Sequence, residues 1–126
     1  MAGVFEVGKV TKHDFKLEVL TDINRYLLPE VIELETSGRL PVRGLATGDM
    51  FVSDTALRTE LAKKSQLCDM EGYSIAAVCQ RFDVPCTLLK QVSDCANEES
   101  KGTWANVLDR GARQLASAAT DLGFLR

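Results

Sequence analysis

The sequence predicts an α/β domain, a mixed, largely parallel sheet flanked by helices. Three observations carry that prediction. Short β-branched or apolar runs alternate with helix-length amphipathic segments. Gly, Pro and Asp punctuate the junctions between them. The length of 126 residues, with 45% hydrophobic and 26% charged side chains, is that of one ordinary globular unit, and residues 1–126 are read as a single, partial domain.

Taken in order, Val4, Val7 and Val10, with Gly3 and Gly8 beside them, read as a short strand entering a loop that carries His13 and Asp14. Residues 17–26 mix charges and apolar groups without a period. Residues 31–35 are short and β-branched, either an extended segment or a single helical turn. Thr36-Ser37-Gly38 and Pro41 mark a loop, after which residues 42–47 read as a buried strand ending at Gly48-Asp49. Ser53 or Asp54 caps a helix over residues 55–64, whose thin stripe of Leu57 and Leu61 marks it as a surface helix. A short strand over residues 67–70 leads through Glu71-Gly72 into a helix over residues 73–82, with Ile75, Ala76, Cys79 and Phe82 on one face. Pro85 separates that helix from residues 86–92, the strongest strand pattern of all, which closes in Ser93-Asp94. Thr103 caps the last helix, where Trp104, Val107, Leu108, Ala112, Leu115, Ala119 and Leu122 follow helical spacing until Gly123 ends it.

Composition excludes several function classes. The net charge of -3, from 15 basic and 18 acidic side chains spread along the chain, leaves no basic stripe for a phosphate backbone, so no nucleic-acid partner is expected. No apolar run approaches the roughly 20 residues needed to span a bilayer. The first residues, Met1-Ala2-Gly3-Val4-Phe5-Glu6, lack the pattern of a secretory signal, and the expectation is a soluble cytoplasmic protein without membrane partners. Cys68, Cys79, Cys86 and Cys95 form no CxxC pair, and His13 is the only histidine. Four reduced, mostly buried thiols are expected, with no metal site and no other cofactor.

Ligands of parallel sheets gather beyond the carboxyl ends of the strands. Asp49, Glu71 and Asp94 each follow a predicted strand, so a set of carboxylates is expected to converge there.

Two segments carry a more specific signal: Thr47-Gly48-Asp49-Met50-Phe51-Val52-Ser53, and the run from Cys68-Asp69-Met70-Glu71-Gly72 through Val92-Ser93-Asp94. A Met-Glu-Gly turn, an Ala-containing helix, a Val-Pro break and a strand closing in Ser-Asp occur in the order seen in the 5'-methylthioadenosine/S-adenosylhomocysteine nucleosidases, and residues 42–122 resemble the C-terminal half of that family. The resemblance implies part of the nucleoside phosphorylase fold. It also implies hydrolysis of the N-glycosidic bond of 5'-methylthioadenosine or S-adenosylhomocysteine, releasing adenine, with a purine nucleoside as ligand and a homodimer or other oligomer as the assembly.

By the same resemblance, Asp94 is the general acid that protonates adenine N7, and Ser93 orients its carboxyl. Protonation turns a poor anionic leaving group into a neutral one. Glu71 accepts a hydrogen bond from the ribose 2'-hydroxyl and stabilises the oxocarbenium-like centre, while Met70 packs against the sugar. Phe51 stacks on the adenine, the Val52 backbone pairs with its polar edge, and Trp104 stands where the family often has Phe. His13 resembles the histidine of a His-Asp pair in the family, and is equally read as a surface residue. Plainer readings stand beside these: a loop cap for Ser93-Asp94, a first-turn helix carboxylate for Glu71, core packing for Phe51 and Met70.

The sequence also departs from the family. Lys90 stands where Arg is usual, and no residue matches the family's water-activating Glu. The family domain is close to twice this length, so a fragment, or a sheet completed by another chain, is expected. The alternatives are a phosphorylase of the same superfamily and a nucleoside-binding domain without catalysis.

Overall fold

The computed structural model describes residues 3–13, 29–49, 52, 55–92 and 104–125. Its elements are β1 (Val4–Lys12), β2 (Val31–Glu33), β3 (Val42–Thr47), α1 (Thr55–Ala62), β4 (Leu67–Asp69), α2 (Gly72–Arg81), β5 (Leu89–Gln91) and α3 (Trp104–Asp121). The strands form one mixed sheet in the order β2-β1-β3-β4, with β5 also paired to β1.

The parallel part is β1-β3-β4. Val10, Leu45 and Leu67 lie in register across it, and so do Lys12, Thr47 and Asp69 at its carboxyl end. Parallel neighbours need a crossover, which α1 supplies between β3 and β4. It lies on the surface with no buried residue, as its thin stripe predicted. Along the other edge of β1, β2 pairs antiparallel with Lys9–Thr11 and β5 antiparallel with Val4–Glu6. The pairing of β1 with β3 shifts register between Val7 and Lys9, at Gly8. A Cβ on Gly8 would stand 2.7 Å from Val42 Cγ1, so the irregular step needs glycine.

Of the two readings of residues 31–35, the extended one holds. β2 has one inward side chain, Ile32, flanked by exposed Val31 and Glu33. The strand expected over residues 86–92 is shorter, spanning only Leu89–Gln91. Its ladder reaches one residue further back through the Leu88 carbonyl, which accepts from Val7 N at 3.0 Å. Among the described residues only β1 pairs with it, and its side chains are half-buried.

The core consists of Phe5, Val7, Val10, Ile32, Leu45 and Leu67 from the sheet, with Tyr73, Ala76 and Ala77 from α2 and Leu88 before β5. One buried carboxylate belongs to this layer. Glu6, 1% exposed, accepts from Ser37 N at 3.0 Å and from Ser37 Oγ at 2.8 Å, so its burial is offset by hydrogen bonds.

Both packing helices differ from their expected faces. In α2 the buried stripe is Tyr73, Ala76 and Ala77, while Ile75 and Phe82, expected to face inward, are 49% and 73% exposed. The alanines let the helix axis come close to the sheet, and that turns the larger apolar residues outward. Among the described side chains of α3 the buried residues are Gly111 and Ala118, whereas Leu108 and Ala112 are exposed. A Cβ on Gly111 would lie 2.4 Å from Gln91 Oε1, so α3 approaches β5 through its smallest residue. The helix ends at Gly123 (φ 84) as its sequence predicts, with Phe124 N donating to Ala119 O at 2.8 Å. No described helix is long and apolar enough to cross a membrane.

Candidate active site

The parallel strands end together, and Asp69 occupies their junction. Its carboxylate accepts from Thr47 Oγ1 at 2.6 Å and from the Gly72 backbone N at 2.9 Å, and meets Lys90 Nζ at 2.6 Å. The side chain of Asp69 is 9% exposed and that of Lys90 30%. A partly buried carboxylate with three charge-assisted partners is held in one geometry. Thr47 Oγ1 accepts in turn from Tyr73 N at 3.2 Å, and Gly48 N donates to Asp69 O at 3.3 Å. Strand β3 with its Gly48-Asp49 end, the Asp69-Met70-Glu71 turn and strand β5 with Lys90 are therefore joined around one side chain.

Tyr73 extends this frame. Its hydroxyl donates to the Pro29 carbonyl, Lys12 Nζ lies 5.2 Å from its ring centroid, and burial pushes the hydroxyl above its ordinary acidity range. His13 follows β1 at the same end, with its backbone N donating to Thr47 O at 3.0 Å. Both ring nitrogens are buried without a hydrogen-bond partner. His13 is itself half-buried, between the two readings of it, at the end of β1.

The expected site residues divide into three groups. Met70 and Glu71 lie at the junction: Glu71 is the exposed N-cap of α2 and makes no side-chain cap bond, and Met70 is 44% exposed. Val52 is half-buried beyond the end of β3, and Trp104 is the first residue of α3. Phe51, Ser93 and Asp94 lie outside the described residues, as does Cys95. Because β5 runs against β1, the rule for parallel strand ends does not by itself bring Ser93-Asp94 to Glu71. The Lys90–Asp69 pair is what connects the two segments: Lys90 lies three positions before Ser93, and Asp69 two before Glu71.

Asp69 and Lys90 are the residues whose roles the sequence left unassigned. The available signal was an Asp three residues before the glycine that opens a helix, the spacing at which a side chain caps a backbone N–H. The thiols also differ from expectation. Cys68 is exposed, with partial desolvation of its sulfur and then the Asp69 charge raising the thiol's pKa and so weakening its acidity, and Cys79 and Cys86 are half-buried; all three are free thiols.

Two cavities among the described residues are lined by neither Met70 nor Glu71. One, of about 350 Å³, runs beside α2 between Lys12, Tyr73, Arg81 and Phe82. The other, of about 390 Å³, lies under α3 against Gly3 and Val4, at the opposite end of β1 from the junction. Among the described residues no group of three or more His, Cys, Asp or Glu side chains could hold a metal ion.

Comparison with known proteins places this arrangement in context. A family model described as the phosphorylase superfamily matches residues 27–122. An aminodeoxyfutalosine nucleosidase of Helicobacter pylori is 29% identical over 125 residues, covering 86% of this chain and 54% of that protein. A 5'-methylthioadenosine/S-adenosylhomocysteine nucleosidase of a Geobacillus species is 38% identical over 76 residues, covering 57% of this chain and 32% of the relative. The 5'-methylthioadenosine/S-adenosyl homocysteine nucleosidase structure from Campylobacter jejuni superposes with a TM-score of 0.78 at 21% identity, covering 98% of this chain and 61% of that one, a likeness of fold. The chain spans about half the length of the curated relatives it matches. The nucleosidase resemblance and the α/β fold expected from the motifs are both borne out.

Proposed function

Since the chain belongs to the phosphorylase superfamily, we propose that it carries the leaving-group and ribose side of a nucleoside N-glycosidase site acting on 5'-methylthioadenosine, S-adenosylhomocysteine or a related purine nucleoside. The observation that supports this best is the ion pair between Lys90 and Asp69 at 2.6 Å. It ties the strand leading to Ser93-Asp94 to the turn bearing Met70-Glu71, the two segments that must grip one ligand.

In this reading Asp94 gives its proton to adenine N7 as the glycosidic bond lengthens, so the electrons of the broken bond leave on a neutral base. Ser93 orients that carboxyl. Glu71 accepts from the ribose 2'-hydroxyl and offsets the positive charge growing on the sugar. Its exposure, and a side chain that makes no cap hydrogen bond among the described residues, suit that task. Met70, Phe51 and Val52 supply apolar contact and backbone pairing to the sugar and base, with Trp104 as a further wall. None of these residues is assigned to activating water. A homodimer or other oligomer, cytoplasmic location and independence from nucleic acid, metal and cofactor complete the proposal.

The test is adenine release from 5'-methylthioadenosine by the purified protein, together with calorimetric binding of the same nucleoside. The expected result is binding, with any turnover independent of added phosphate. Strict dependence on phosphate would transfer the site to a phosphorylase. Absence of both binding and release at millimolar nucleoside would remove the reading. In an active preparation Asp94→Asn should lower kcat by roughly 100-fold or more with little change in nucleoside affinity. A near-normal kcat would take the general-acid role from Asp94.

A further inference from the structure

The nucleosidase reading uses the carboxyl ends of the parallel strands and leaves the opposite end of β1 without a task. A cavity of about 390 Å³ lies there, near the small end of the range for ligand sites. One wall is a single stripe of α3, where Gln114, Ser117, Ala118, Asp121 and Leu122 recur at three- and four-residue spacing. A helix stripe that turns toward the body of a domain is ordinarily apolar, yet Gln114, Ser117 and Asp121 are polar. The facing wall brings Arg39 from the loop between β2 and β3, with Val4 and Leu40 beside it.

Two opposite charges meet in this cavity without neutralising each other. Arg39 Nη1 donates to the backbone carbonyl of Asp121 at 2.6 Å, which anchors the guanidinium at the end of the helix. Among the described residues neither Arg39 nor the Asp121 carboxylate has an ion-pair partner. The bond through Nη1 leaves the Nε–Nη2 edge of the guanidinium, an edge that can hold a carboxylate by two parallel hydrogen bonds. Asp121 closes α3, where the aligned peptide dipoles favour a positive group. Gln114 Oε1 is buried with no hydrogen-bond partner, so turning that amide toward a donor in the cavity breaks no bond at the oxygen.

We propose that this cavity binds a free α-amino acid with an apolar side chain. Its carboxylate pairs with Arg39. Its ammonium group meets the Asp121 carboxylate, Ser117 Oγ and the turned Gln114 amide, and its side chain lies against Val4, Leu40 and Leu122. A zwitterion matches one guanidinium and one carboxylate together, whereas a simple anion or cation leaves one of them unmatched. The bound amino acid joins the loop before β3 to the last turns of α3, at the far end of β1 from Glu71, so its binding is independent of the nucleosidase reading.

The test is calorimetric titration of the unaltered chain with L-leucine, 4-methylpentanoate and 3-methylbutylamine, probes that share one apolar group and differ in charge. L-leucine should bind at least about ten-fold more tightly than either analogue, because each analogue lacks one charge-assisted contact. In amide NMR spectra the signals of Gly3, Leu40, Ser117 and Leu122 should move with L-leucine and that of Glu71 should not. Arg39→Gln and Asp121→Asn, both at exposed positions, should each weaken L-leucine by about ten-fold and leave the urea midpoint where it was. L-leucine affinity should be the same with and without 5'-methylthioadenosine, so failure of the nucleoside reading and failure of this one are separate results. No binding of L-leucine at about 10 mM, equal affinity for an analogue lacking either charge, shifts centred on Glu71, or full affinity in both variants would each overturn the proposal. The probe series on the unaltered chain gives its answer whether or not either variant folds.

Discussion

Asp69 and Glu71 stand two positions apart in the same turn, and their surroundings are opposite. Asp69 is nearly buried and its carboxylate receives a hydroxyl, a backbone N–H and an ammonium group. Glu71 is exposed, and as the N-cap of α2 its side chain caps nothing. A carboxylate whose acceptor sites are filled by the protein holds the frame. One that is exposed and caps nothing among the described residues is available to a ligand. The Asp69-Met70-Glu71 turn thus places a structural acid two positions before an exposed one that caps nothing among the described residues, and substitutions at the two should separate stability from binding.

The sharpest way to break that contrast is Asp69→Ala. It would leave the Thr47 hydroxyl and Gly72 N–H without their acceptor and Lys90 without its counter-charge at a site with little access to water. A loss of about 3 kcal/mol is expected, discounted from the buried-pair range because Lys90 can turn toward solvent. Urea unfolding measures it, and a loss below about 1 kcal/mol would show that the junction does not depend on this carboxylate.

Gly72→Ala attacks the same frame from the backbone side. A Cβ there would stand 2.5 Å from Leu45 Cδ2 and 2.8 Å from Asp69 Oδ2, and Leu45 is fully buried. The helix start must shift outward to admit it, at about 2 kcal/mol, and that shift lengthens the Asp69 to Gly72 bond. Combined with Asp69→Ala, the double variant should lose less than the sum of the two single losses, since the two share a contact.

How much of this was legible in the sequence follows from what each residue depends on. Strand and helix order came through because β-branched runs and helical spacing are local properties: β3, β4 and the end of α3 at Gly123 lie where residues 42–47, 67–70 and 123 placed them. Helix facing did not, because Ile75 and Phe82 have the spacing of a core stripe and lose to Ala76 and Ala77 only when a sheet is present to pack against. The short β5 has a similar cause, as an apolar run over residues 86–92 shows how much strand is possible, whereas pairing decides how much forms. Met70 and Glu71 could be found through an ordered motif. Asp69 could not be assigned a role, because its partners Thr47 and Lys90 are 22 and 21 positions away and meet it only in three dimensions.

Alkaline titration tests the frame more gently. Burial pushes the Tyr73 hydroxyl above 10.0 and the Cys86 thiol above 9.0. A raised folded-state value means that the neutral form is favoured by folding, so the stabilisation is fully present below the unfolded-state value and is lost as pH rises through the folded one. The urea midpoint should therefore hold level up to about pH 9 and fall above it, with a second fall past about pH 10 that Tyr73→Phe removes. A midpoint that rises with pH across this window would contradict the burial of both groups.

The smallest stability effect belongs to Glu71→Gln, which is where the comparison becomes informative about function. The substitution keeps shape and one acceptor, touches none of the bonds to Asp69, and removes a charge exposed to solvent near a helix N-terminus. Unfolding should change by less than about 0.5 kcal/mol. If Glu71 grips the ribose hydroxyl, nucleoside affinity or turnover should nevertheless fall by about ten-fold or more, because a charged acceptor gives way to a neutral one at the sugar. Unchanged stability with unchanged binding would leave Glu71 as a solvent-facing helix cap, and the division of labour between the two carboxylates would then have to be drawn elsewhere along the strand ends.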